Sequence, residues 1–426
     1  MINYLKKLPF YYGWVLVGIS FLTLAVSYGS RASFSVFLVA IQDMQGWSRG
    51  AISAGFTLHM LVALIGLPLV GAVVDRCGPR GVLSAGIAIM AAGVWMLGGL
   101  KEIWHFYLSF GLVMATGRIM LSMVPHTAII SNWFVKRRGT AMGVTGAGIG
   151  IGSILMVPLV QFCLTHFGWR SGCTFIAVLI VLVLLPFNMF LQRLRPSDIG
   201  LLPDGSKKDE APERDSNRSG EGAAGNAWTV RRAVSKVRFW LLYFVFFLGA
   251  MNFMVDMHQI ALFQDAGLQR GAAVSIFAAV GLLQSTGVFF GGAISDRIGR
   301  EKALTLGICL QITGILTLMR IHDASPGAKL PFFILCYGFG NGFRTSILPS
   351  VTADLFPGKR IGSVYGLLAS AITVSAAFGP WFAGHLFDLT GTYRSVLWIV
   401  AGCLAMSGVL LWLVAPRKHA SRVIGV

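Results

Sequence analysis

The chain has 426 residues, of which 55% are hydrophobic and only 12% charged, and its mean hydropathy is +0.72. Those proportions exclude a soluble domain with a solvated surface. In so apolar a chain the net charge of +18 reflects membrane topology and attraction to anionic lipid head groups, and it argues against a nucleic-acid partner.

Apolar stretches able to cross a bilayer core as helices fall near 13–39, 51–74, 82–100, 105–130, 140–163, 171–192, 239–262, 272–294, 303–320, 331–353, 362–386 and 395–415. The 52 glycines suit close helix packing in lipid. Lys6 and Lys7 precede the first stretch, but it is long enough to span and lacks a cleavage site, so it reads as helix 1 and not as a signal peptide. Basic residues cluster on alternate connections: Lys6/Lys7, Arg76/Arg80, Lys136/Arg137/Arg138, Arg297/Arg300/Lys302, Lys359/Arg360 and Arg417/Lys418/Arg422. The opposite loops carry single charges such as Arg49, Lys101, Arg170, Arg270, Lys329 and Arg394. The positive-inside bias then places both termini in the cytoplasm. A prokaryotic plasma (inner) membrane is the expected location.

After the sixth stretch the composition changes. The run SKKDEAPERDSNRSGEGAAGN is polar and cannot bury a core. It reads as a cytoplasmic linker over 194–237, between an N-terminal six-helix half (1–193) and a C-terminal six-helix half (238–426). Trp228–Lys236 reads as a short amphipathic helix on the membrane surface. The six cysteines show no CxxC or metal-ligand spacing and read as packing residues.

The halves repeat each other. After the second stretch the chain reads Gly71-Ala-Val-Val-Asp75-Arg76-Cys-Gly78-Pro-Arg80, and after the eighth Gly292-Ala-Ile-Ser-Asp296-Arg297-Ile-Gly299-Arg300. The turn WFVKRRGTAMG (133–143) has a weaker echo in LFPGKRIGSVYG (355–366). Aligning Gly143 with Gly366 sets Asn341 opposite Arg118, with Arg344 about one helical turn further on.

These paired loops, the helix count and the long central loop resemble the major facilitator superfamily across essentially the whole chain. The resemblance implies an all-α membrane protein of twelve transmembrane helices in two pseudo-symmetric six-helix halves. WFVKRRGTAMGVTGAG (133–148) is similar to the pattern leading into helix 5 of monocarboxylate transporters. Gly13-Trp14 is similar to that family's other signature, without the acidic residue that usually precedes it. The chain departs from the proton-linked monocarboxylate and oxalate/formate branch in helix 8. SIFAAVGLLQSTGVFFGGAISD holds no arginine where that branch is expected to have one, and helix 11 lacks the oxalate exchanger's lysine. Anion binding then falls to other residues.

Four formally charged side chains lie inside the spans: Arg31, Arg118, Asp256 and Arg344. They sit on helices 1, 4, 7 and 10, the leading helix of each group of three. A charge in hydrocarbon costs at least about 2.5–3.5 kcal/mol, so such residues face a wet cavity or a partner. Three arginines against one aspartate point to an anion, which guanidinium matches bidentately. Alternatively, an arginine satisfies helix carbonyls or pairs with Asp256. Tyr28, Asn252, Tyr337 and Asn341 are candidates to orient the substrate. Asp256, with His258 or His59, is the candidate for proton coupling; the competing reading makes Asp256 a fixed partner of a cavity arginine. By the family resemblance, Asp75, Arg76, Arg80, Asp296, Arg297 and Arg300 form ion-pair locks between cytoplasmic helix ends.

The residues therefore describe a secondary active transporter of a small organic anion, a mono- or dicarboxylate, taken up with protons by alternating access and functional as a monomer. The alternatives are an exchanger or exporter on the same fold and a non-transporting membrane sensor. No catalytic constellation, nucleotide loop or metal spacing is evident, so neither an enzyme nor a cofactor is expected.

Overall fold

The computed structural model describes residues 10–33, 41, 45–205, 228–321, 327–358 and 360–414. Lys6, Lys7, Lys359, Arg417, Lys418, Arg422 and residues 206–227 of the expected linker lie outside them. Among the described residues ten helical stretches are long and apolar enough to cross a membrane. One of these, Arg138–Leu191, is two traverses that meet at Gly168, where φ is 75° and ψ 170°. The helix over 329–355 adds a further traverse; its Asn341, Arg344 and Asp354 leave it outside the apolar set.

The helices are α1 (Gly13–Ala32), α2 (Arg49–Cys77), α3 (Pro79–Leu97), α4 (Ile103–Trp133), α5 (138–167), α6 (169–191), α7 (Val237–Asp265), α8 (Arg270–Ile298), α9 (Arg300–Leu318), α10 (329–355), α11 (Ile361–Thr390) and α12 (Arg394–Val414). Strands are absent among the described residues. This is the all-α architecture of two six-helix halves expected from the sequence.

The repeat is visible in the backbone. The α2–α3 and α8–α9 turns each pivot on a glycine with positive φ, Gly78 at 77° and Gly299 at 96°, a conformation that a side chain would strain. Both α4 and α10 contain a π-helical segment, Tyr107–Met114 and Ile334–Gly338. The two segments overlap under the register that pairs Arg118 with Asn341, which sets 107–114 against 330–337. Such bulges re-aim side chains and cluster at functional sites. In α7 the corresponding irregularity is a 3₁₀ turn, Ala250–Asn252.

Within the halves, α1 packs on the α5–α6 run and α8 on α10; between them, α2 meets α11 and α5 meets α8. The last two contacts use glycine. A Cβ at Gly71 would strike the Gly362 carbonyl, and one at Gly292 the Gly139 carbonyl. The hydrogen bonds that Arg138, Gly139, Thr140, Gly362 and Ser363 make across the halves lie at the end bearing the 75–80 and 296–300 turns.

Residues 195–205, at the start of the expected linker, are docked against the protein. Ile199 is buried, and Asp204 Oδ2 accepts from the backbone N–H groups of Val135 (2.9 Å) and Lys136 (2.8 Å). The Tyr11 hydroxyl donates to the carbonyls of Trp133 and Leu202. Of Trp228–Lys236, only Val230–Val234 is α-helical.

Candidate functional site

Two polar clusters occupy the middle of the helix bundle, one from each half. In the first, Tyr28 on α1 receives two cations. The Arg118 guanidinium carbon lies 5.7 Å and that of Arg31 6.0 Å from its ring centroid, within cation–π range. Arg118 Nε also donates to His59 Nε2 at 2.7 Å, while His59 Nδ1 lies 3.1 Å from the Phe110 carbonyl. A carbonyl only accepts, so Nδ1 carries the proton and the Nε2 lone pair faces the arginine. His59 is thus a neutral imidazole with both nitrogens engaged. Phe110 belongs to the π segment of α4, which ties that irregularity to the position of Arg118. Neither Arg31 nor Arg118 forms an ion pair among the described residues.

The second cluster contains the acid. The Tyr337 hydroxyl donates to Asp256 Oδ1 at 2.6 Å, and Asn252 Nδ2 donates to Asp256 Oδ2 at 2.7 Å. Arg344 does not reach the carboxylate directly. Its Nη2 donates to Asn252 Oδ1 (2.7 Å) and Asn341 Oδ1 (3.0 Å), and its Nη1 to the Gly249 carbonyl. That carbonyl precedes the 3₁₀ turn Ala250–Asn252. Asn252 therefore stands between acid and base, donating to one and accepting from the other. Asn341 Nδ2 is buried beside Arg344 without a hydrogen bond of regular geometry, and it lies near enough to Asp256 to interact with its carboxylate. Tyr28, Arg31, Asp256 and Arg344 keep part of their surface exposed although they lie mid-bundle.

The structure thus brings Tyr28, Arg31, His59 and Arg118 together, and likewise Asn252, Asp256, Tyr337, Asn341 and Arg344. His258 stands apart from Asp256: its Nδ1 lies 3.0 Å from the Tyr393 hydroxyl and its Nε2 3.0 Å from the Pro380 carbonyl. A two-residue step along a helix turns a side chain by about 200°, which separates the pair. Sequence reasoning did not single out Tyr365. This residue is buried on α11 and near enough to Tyr28 for the phenols to interact. Its place beside Gly366 in the repeated turn was the available signal.

The inter-half contacts differ in kind from simple ion-pair locks. Asp75 accepts from the N–H groups of Gly362 (3.0 Å) and Ser363 (2.7 Å) and from the Ser363 hydroxyl (2.5 Å), at the N-terminus of α11. Asp296 accepts from the Gly139 (2.8 Å) and Thr140 (2.7 Å) N–H groups and the Thr140 hydroxyl (2.7 Å), at the start of α5. Each carboxylate caps a helix of the opposite half, where unpaired N–H groups and the helix dipole favour negative charge. Among the described residues an ion pair joins the second cap and not the first: Arg300 contacts Asp296 at 2.7 Å and Asp354 at 3.1 Å, and Asp354 also pairs with Arg138. Arg76, Arg80 and Arg297 are exposed and form no ion pair among the described residues.

Comparison with known proteins agrees with this architecture. Monocarboxylate transporter 13 of Rattus norvegicus is 27% identical over 407 residues, covering 94% of this chain and 89% of the relative. Monocarboxylate transporter 2 of Homo sapiens is 23% identical over 429 residues, covering 97% and 87%. Among solved structures, the human organic anion transporter MFSD10 (TETRAN) superposes with a TM-score of 0.69 at 18% identity over 95% of this chain and 100% of that one. The proton:xylose symporter XylE gives 0.71 at 14% identity over 94% and 95%. The sequence model of the Major Facilitator Superfamily matches residues 20–352 and 239–426. With its paired turns, its symmetric helix caps and its mid-bundle polar clusters, the chain belongs to the major facilitator superfamily.

Proposed function

We propose that this transporter carries a small organic anion into the cell together with protons, by alternating access. The observation that carries the reading is the division of labour between the two clusters. The first is basic, and its arginines have no carboxylate partner among the described residues. The second holds an acid between neutral donors. An anion entering between the halves gains charge-assisted hydrogen bonds from guanidinium groups. Asp256, unlike a carboxylate in a direct ion pair with arginine, can take up and lose a proton without leaving a bare pair behind. Proton entry there converts an acceptor from Tyr337 and Asn252 into a group with its own O–H. The bridge through Asn252 transmits that change to Arg344. The names of the relatives, monocarboxylate and organic anion transporters, fit a small carboxylate as cargo.

In this reading residues 1–193 and 238–426 rock against each other as monomeric halves, joined through 194–237. The distribution of Lys and Arg puts the capped end and both termini in the cytoplasm. The structure then corresponds to a carrier closed to the cytoplasm, in a prokaryotic inner membrane.

The test is Asp256→Asn in proteoliposomes, with accumulation and exchange measured side by side. The variant resembles the protonated form permanently. It should lose accumulation driven by an imposed proton gradient and keep exchange of labelled for unlabelled substrate. Loss of both activities would instead mark Asp256 as a structural partner of the Arg344 network.

A further inference from the structure

The charge balance of the cavity narrows the cargo further, given the anion-carrier reading above. Arg31, Arg118 and Arg344 bring three positive charges to the bundle centre and Asp256 one negative. The other titratable group in the basic cluster, His59, contributes no charge, because both its nitrogens are engaged as a neutral ring. Tyr28 offers its π face to two cations at once. A π face relieves repulsion between guanidinium groups but cannot neutralise them. In the other half Arg344 and Asp256 are linked through Asn252 and offset each other. The uncompensated charge is therefore +2, and it resides on Arg31 and Arg118.

We propose that the substrate is a dianion, a short dicarboxylate whose two carboxylates are taken by Arg31 and Arg118 across the Tyr28 ring. A monocarboxylate would leave one guanidinium unpaired as the site closes and sheds water, and an unpaired charge removed from water is strongly disfavoured. The preference holds in either protonation state of Asp256. With the carboxylate ionised, a dianion brings the site to neutrality. With it protonated, a dianion leaves one positive charge and a monoanion two. The arrangement also explains why helix 8 can lack an arginine: the anion-binding cations lie in the N-terminal half, on α1 and α4.

The test is calorimetric binding of matched acids to the full-length protein in nanodiscs, at neutral pH and constant ionic strength. The pairs are succinate with butyrate and malonate with propionate. The diacid of each pair should bind at least tenfold more tightly. Arg31→Gln and Arg118→Gln, checked for monodispersity, should each cost the diacid far more affinity than the monoacid, bringing the two members of each pair within about threefold of one another. Wild-type affinities equal within each pair would overturn the proposal without reference to any variant. A diacid preference that survives in both variants would overturn the assignment of the two arginines. The absence of binding and counterflow for all four acids would overturn the carrier reading itself, a result distinct from a carrier that prefers monocarboxylates.

Discussion

His59 shows how one side chain can be held by its neighbours. The Phe110 carbonyl fixes its tautomer and the Arg118 guanidinium occupies its remaining lone pair, an arrangement suited to aiming a cation, where the sequence offered His59 as a candidate for proton coupling. His59→Gln keeps an acceptor for Arg118 and should transport with an unchanged pH profile. His59→Leu removes the acceptor and should raise the apparent KM at least tenfold, read as initial uptake rates at equal expression. The arginines are less forgiving. Arg118→Lys and Arg344→Lys replace a planar fork with a point charge. Losing a buried charged hydrogen bond costs about 2–5 kcal/mol, enough to bring uptake below detection. Near-normal uptake by both variants would assign these arginines to structure.

At the scale of elements, the caps are the contacts that the proposed rocking of the halves would break. Losing an N-cap costs about 0.5–2 kcal/mol, so Asp75→Asn should shift the balance between the two access states by roughly two- to thirtyfold. Asp296→Asn should shift it further, because Arg300 loses one of its two carboxylates. Cysteine accessibility from each side of the membrane measures the shift, and ligand affinity should stay unchanged. The register of these caps was legible in the sequence. Pairing Gly143 with Gly366 also pairs Thr140 with Ser363, and the two hydroxyls make the same contact in opposite halves. The Arg138–Asp354 pair was not legible. Ile361 occupies the place of Arg138 in the repeat, so symmetry gave no hint of it, and its partner lies 216 residues away. The docking of residues 195–205 was equally hidden. A polar composition predicts solvation, while the contact that holds Asp204 is made to backbone amides, which carry no residue signature.

For the whole molecule, the spans and the two-fold repeat followed from hydropathy and from two loops, whereas the site followed only from counting charges in apolar helices. That count identified Arg31, Arg118, Asp256 and Arg344 but not how they divide. Periodicity gives the face of a regular helix. The π segments of α4 and α10 and the 3₁₀ turn of α7 shift that face by amounts no periodic rule supplies. Asn252 as the link between Asp256 and Arg344 depends on that turn. Replacing Asn252 by Leu should therefore damage exchange and accumulation together, whereas Asn252→Asp, which keeps an acceptor for Arg344, should spare exchange better. Counterflow and gradient-driven uptake in the same liposomes compare the two.

The contacts of Gly71 with the Gly362 carbonyl, between α2 and α11, and of Gly292 with the Gly139 carbonyl, between α5 and α8, set backbone directly on backbone at two points of the seam. The seam behaves like two smooth plates held at their rims, so a single methyl group becomes a wedge. Gly71→Ala or Gly292→Ala should hold the plates apart and trap the transporter open at that end, without touching the polar clusters. Proteolysis or thiol labelling at the turn end would report the trapped form, and a label pattern identical to the wild type would argue against it. In an engineering sense this carrier contains its own conformational lock, one carbon atom short of closing.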